Sequence, residues 1–127
     1  MRFMMIVKAN ERSEAGLPPD PRLMAAVQKH AEEQIKAGVL LDTGGLAPSS
    51  QGARIIARGG KLTKVDGPFP ETKELIGGYA VLQARSKEEA IEHGLRFMRL
   101  HQELIPGWEG EMEVRQIFGP ENPHGSK

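Results

Sequence analysis

The chain reads as an α+β domain of the ferredoxin-like kind, and three observations predict it. A strand–helix–strand pattern occurs twice, at residues 3–46 and 78–118. The two units are separated by a Gly- and Pro-punctuated stretch of short strands rather than by a linker. And 127 residues suffice for one modest core but not for a second cofactor-binding domain. The boundaries expected are a single domain over residues 1–119 and a polar tail over 120–127 that carries Pro120 and Pro123.

The elements follow in order. Phe3–Val7 is an unbroken apolar run and reads as a buried first strand; at five residues it is shorter than a secretory core segment or a membrane span. Asn10 to Asp20 reads as a polar loop. Asp20 followed by Pro21 is an N-cap with proline at the first helical position. The helix is expected to reach Ala37 and to stop at Gly38, with Leu23, Val27 and Ala31 on its sheet-facing side and Met24 and Ile35 on one flank. Val39–Leu46 reads as the second strand, and Ala53–Ala57 as the third. Gly59-Gly60 turns the chain so that Lys61–Val65 pairs back as a ribbon.

Gly78–Ala84 is expected to be a central strand. Ser86 with Glu89 makes a capping box for a second long helix. Its core stripe is predicted at Ile91, Leu95 and Met98, which leaves His93 on the exposed side. Met112–Phe118 alternates and reads as the last strand. Two helices cover one face of a sheet, so the other face needs a partner. For so small a chain the simplest partner is a second copy, related by a two-fold axis.

Composition removes several function classes. Seventeen basic side chains balance seventeen acidic ones, and the isoelectric point is near 6.9. No basic excess exists to neutralise phosphates, so neither nucleic-acid binding nor a polybasic membrane contact is expected. With no cysteine, thiolate chemistry, disulfides and Cys-based metal sites are excluded. The expected location is cytoplasmic. The four histidines show no metal-ligand spacing, and the glycine pairs form neither GxGxxG nor a P-loop. No metal and no cofactor are expected.

The richest segment is Asp66-Gly67-Pro68-Phe69-Pro70-Glu71-Thr72-Lys73-Glu74-Leu75-Ile76, followed by Gly77-Gly78-Tyr79. Together with Lys36–Pro48 and Ser86–Glu92, it closely resembles the DGPF branch of the YCII-related proteins. The resemblance implies a ferredoxin-like protomer that dimerises as an α+β barrel, with a pocket between the first long helix and the sheet. It also implies a fold relationship to muconolactone-isomerase-like enzymes, and a helix histidine paired with an acid as an active-site couple. His30 is the residue that best fits that histidine. Members of the branch are associated with sigma factors of the extracytoplasmic-function type, which implies a regulatory alternative.

Each candidate carries two readings. His30 flanks the apolar helix face, where a near-neutral imidazole serves as general acid or base, or is simply satisfied by a carbonyl or carboxylate. Asp66 either orients His30 or a substrate proton, or caps its own turn. Gly67 is read as permitting an unusual φ, and Pro68 as fixing one. Phe69 reads as a core plug or pocket wall. Glu71 and Lys73 read as pocket-rim groups or as solvated loop charges, and a salt bridge there would hold the loop closed. Tyr79 offers a phenol to the pocket or packs as an aromatic with its hydroxyl satisfied. Arg54 and Arg58 lie on or beside the middle strands, facing a pocket or solvent. Trp108 is expected to anchor its loop or a dimer contact, and His101 to sit favourably at a helix end.

The function expected is therefore a small-molecule-binding protein, with cofactor-independent acid–base chemistry of the isomerase or lyase type if it is an enzyme. His30 and Asp66 would be the catalytic pair, and Phe69, Glu71, Lys73 and Tyr79 would contact the substrate. The alternative is a ligand-sensing or protein-interaction module, or a signature loop that serves only to stabilise a dimer.

Overall fold

The computed structural model describes residues 1–119, apart from the side chain of Lys73. The expected tail, 120–127, lies outside the described residues. The fold is α+β, with three α-helices and antiparallel sheets. The elements are β1 (Arg2–Lys8), α1 (Glu11–Glu14), α2 (Pro21–Lys36), β2 (Leu40–Gly45), β3 (Ala53–Arg58), β4 (Lys61–Asp66), β5 (Ile76–Gln83), α3 (Lys87–Leu104) and β6 (Met112–Gln116). Single 3₁₀ turns occur at Ser49–Gln51 and Thr72–Glu74.

The four-stranded sheet has the order β2-β5-β1-β6, and every neighbouring pair is antiparallel. The unit β1-α2-β2 thus straddles β5, and the unit β5-α3-β6 straddles β1. A second sheet consists only of the hairpin β3-β4, joined through Gly59 and Gly60 at φ 57° and 76°. Positive φ at both central residues is the turn whose twist matches paired strands.

Strand alternation divides the large sheet. Phe3 and Met5 of β1, Ala80 and Leu82 of β5, and Val114 of β6 turn to one face and form the core with Ala90 of α3. Phe3 and Leu82 are each only 2% exposed. Burying side chains of this size stabilises the fold by ~1.5–3 kcal/mol apiece. The alternate residues Met4, Ile6, Tyr79 and Val81 form the opposite face, where the register sets Met4 against Val81 and Ile6 against Tyr79.

Three local expectations need correction. The stretch after β1 is not all loop. Asn10 accepts from the Ser13 amide at 2.8 Å while its own amide donates to Ser13 Oγ at 2.9 Å, and this reciprocal cap starts the one-turn helix α1. Secondly, the inward stripe of α3 runs through Ala90, Gly94 and Phe97, and of the expected Ile91, Leu95 and Met98 only Met98 is half-buried. Ile91 and Leu95 are 36% and 42% exposed. Small residues let the helix sit close to the sheet, and close approach decides the phase more strongly than bulk. His93, expected to be exposed, is therefore half-buried on the inward side. Thirdly, the α3 cap is only half of a box. Ser86 Oγ accepts from the Glu89 amide at 3.1 Å, but the Glu89 carboxylate turns to Arg85 Nε at 2.8 Å.

Candidate functional site

The helix α2 is well started and well ended. Asp20 accepts from the Arg22 amide at 2.8 Å, Pro21 occupies the first position, and Gly38 follows the C-cap with φ 75°. Yet none of its residues is buried. Its apolar positions Leu23, Val27 and Ala31 are only half-buried, and Val27 and Ala31 line a cavity of about 540 Å³ between the helix and the sheet. The sheet wall of that cavity is apolar, made by Met5, Val7, Leu40, Ala80 and Leu82. Val27 and Ala31 of α2 and Phe97 of α3 close the opposite side.

Polar groups enter chiefly from the helices. His30, Gln28 and Gln34 come from α2, His93 and His101 from α3, and Thr43 from β2. The histidines of α3 lie four residues either side of Phe97, so helical geometry puts all three on one face. The rings are in register: His30 to Phe97 is 6.4 Å between centroids, Phe97 to His101 is 4.8 Å, and His101 to Trp108 is 4.6 Å.

These imidazoles are held differently. His101 Nδ1 lies 2.9 Å from the Phe97 carbonyl oxygen. A carbonyl only accepts, so Nδ1 carries the proton, and in the neutral ring Nε2 is the acceptor. Phe97 and Trp108 clamp the ring, which makes Trp108 the anchor of its loop onto α3. His30 is set by its surroundings instead. Burial holds its pKa below the ordinary value, Glu33 opposes this, and the nearby His93 and Arg96 push it further down.

The signature segment lies elsewhere. Gly67 does not have positive φ, contrary to the expectation of an unusual backbone angle. Its requirement is space: a Cβ there would sit 1.7 Å from the Ser49 carbonyl oxygen. The Gly67 amide donates to the Gly52 carbonyl at 3.0 Å, and the Phe69 amide donates to Ser49 Oγ at 3.0 Å. Ser49 in turn donates from its amide to Glu14 Oε1 at 2.8 Å and from its hydroxyl to Glu14 Oε2. Arg54 lies 4.0 Å above the Phe69 ring and bonds Glu71 at 2.8 Å, and this pairing holds the Glu71 carboxyl below the usual range. The loop thus ties the hairpin base, the Ser49–Gln51 turn and α1 together.

Of the residues singled out from sequence, His30 belongs to the cavity wall, whereas Tyr79 borders the cavity through its strand and turns its side chain to the opposite sheet face. Tyr79 packs its ring over Gly44 and donates weakly to Asp42 Oδ2 at 3.4 Å. Asp66 does not reach the cavity; it is exposed at the end of β4 and pairs with Lys64 at 3.3 Å. Phe69 and Glu71 belong to the Ser49–Arg54 network. The Lys73 side chain lies outside the described residues. His93 and His101 were not among the sequence candidates, although their spacing about Phe97 was the available signal.

A larger groove of about 780 Å³ runs between the Ile91–Gly94–Leu95–Met98 side of α3 and residues 108–112. It is open and carries no imidazole, whereas the smaller space is more enclosed and holds three. Among the described residues no helix is long and apolar enough to cross a membrane, and no cluster of three or more His, Asp or Glu is arranged to hold a metal ion.

The chain is 30% identical over 73 residues to an uncharacterized protein of Rhizobium meliloti (strain 1021), across 58% of this chain and 59% of that relative. It therefore spans about three fifths of the relative's length. Residues 1–97 match the family described as the YCII-related domain, and that span runs from β1 through the cavity histidines His30 and His93. On that match the chain belongs to the YCII-related family.

Proposed function

We propose that this YCII-related domain binds a small organic molecule in the cavity between α2, α3 and the sheet, and that its imidazoles serve acid–base chemistry there. The observation that carries the reading is the convergence of His30, His93 and His101 on one mostly apolar space of about 540 Å³. That volume lies within the ~300–1,000 Å³ usual for ligand sites, with a few polar groups set in an apolar lining. His30, disfavoured as a cation by burial, is suited to act as a base near neutral pH. His101 presents a fixed tautomer. Asp66, exposed at the end of β4, contributes nothing to this chemistry in the arrangement proposed. The protomer is assigned the ferredoxin-like arrangement, which the interleaved strand order supports.

The test is a fragment titration followed by the imidazole Hε1 signals of the protein. Binding is expected to move the signals of His30, His93 and His101. If a fragment binds and leaves all three signals unmoved, the cavity is not the site.

A second reading is favoured by a separate observation. Ile55 and Leu62 of the hairpin are 79% and 78% exposed. We propose that this hairpin, together with the sheet face of Met4, Ile6 and Val81, meets a second copy of the chain in a dimeric barrel. Association and ligand binding are compatible, since they use different faces.

A further inference from the structure

We propose that the ligand of this cavity is an apolar organic acid, bound as its anion against the His30–His93 side and taking up a proton as it binds. The inference rests on the cavity being the binding site and adds the class of molecule. It follows from what the wall contains and omits. Among the described residues, the titratable side chains turned to the cavity are His30, His93 and His101, with no carboxylate and no lysine or arginine in its lining. Near neutral pH such a wall is neutral or positive, so an ammonium ligand would be desolvated without a counter-charge. An acid is served differently: an imidazole that gains a proton becomes a charged donor for it. The apolar wall of Met5, Val7, Leu82 and Phe97 accommodates the body of the molecule, while Gln28 and Gln34 supply further amide donors.

The proton balance follows from the groups facing His30. Glu33 on its own helix favours the imidazolium; His93 and Arg96 on α3 disfavour it, as does burial. His101 stands beyond Phe97, and the Tyr79 phenol lies on the other face of the sheet. The empty site therefore favours the neutral imidazole of His30, and a carboxylate beside it favours the cation. One proton passes from solvent to the imidazole, and no other bond forms or breaks.

The experiment is isothermal titration of the full chain with three isosteres: 4-phenylbutyrate, 4-phenylbutanamide and 4-phenylbutylamine. Each is titrated at about pH 6 and about pH 8.5, a range in which the carboxylate stays ionised. The expected order is acid, then amide, then amine. The acid's affinity should fall roughly ten-fold or more from the lower pH to the higher, as linkage to one imidazole requires. The amide's affinity should stay level, and the acid's enthalpy in two buffers should report proton uptake. His30→Gln with His93→Gln, checked for folding by circular dichroism, should abolish the pH dependence while leaving the amide bound. If amide or amine binds as well as the acid, or the acid binds without pH dependence, the assignment of an acid fails and the cavity stands. If none of the three binds, the cavity reading fails with it.

Discussion

Gly67 shows how one residue is decided by a neighbour distant in sequence. Its backbone φ is open to any residue, yet a methyl group there would overlap the carbonyl of Ser49. That obstacle is backbone, not the yielding end of a side chain. Gly67→Ala is therefore expected to destabilise the fold by ~3 kcal/mol or more, the upper end for overpacking, measured as a lowered urea midpoint. His30 makes a different residue-scale prediction. Its pKa is lowered in the folded protein relative to the ordinary 6.5, so between the two values the unfolded chain binds more protons. Stability is then full above about pH 6.5 and falls as pH drops through the folded value. His30→Gln is expected to flatten that part of the profile. Unfolding of both proteins by urea across this range checks it, and parallel profiles would refute it.

At the scale of elements, the signature loop acts as a joint. Ser49 is 9% exposed and stands between Glu14 of α1 and Phe69 of the loop, while Arg54 and Glu71 pair where solvent reaches them. Burial ranks the two connections. Ser49→Ala leaves the Phe69 amide and Glu14 Oε2 without their partner, while the Ser49 amide still holds Oε1, and is expected to cost ~1–3 kcal/mol. Glu71→Gln weakens a screened pair, and is expected to cost ~0–1 kcal/mol. Equal losses in denaturant titrations would overturn this ranking. The phase of α3 belongs here too. Ala90 and Gly94 turn inward because small side chains allow the helix to approach β1 and β6, and this rotation carries His93, Phe97 and His101 into the cavity.

For the whole molecule, the hairpin β3-β4 is the exposed part. All six residues of β4 are exposed, and a lone two-stranded ribbon is marginal in water. Its free apolar side chains are accounted for if a second copy covers them. Ile55→Lys with Leu62→Lys is expected to shift the protein to monomer in sedimentation at micromolar concentration, with little change in helical circular dichroism. A wild-type protein that already sediments as a monomer would remove the dimer proposal. Because the cavity opens on the helix side of the sheet, the same variant should keep its ligand affinity.

Apart from α1, the element order was legible in the sequence, as were the α2 cap at Asp20-Pro21, the Gly59-Gly60 turn and the strands flanking them. Each rests on local backbone preference or on periodicity within a single segment. So was His30 as a residue of interest, from its place beside an apolar helix face. What only the tertiary structure decided is where distant segments meet. It set Glu14 and Phe69 on Ser49, turned α3 about its axis so that His93 and His101 joined His30, and left Asp66 outside. Helical spacing specifies which side chains share a face. Which face turns inward depends on how closely two elements can pack, and that is a property of both surfaces together.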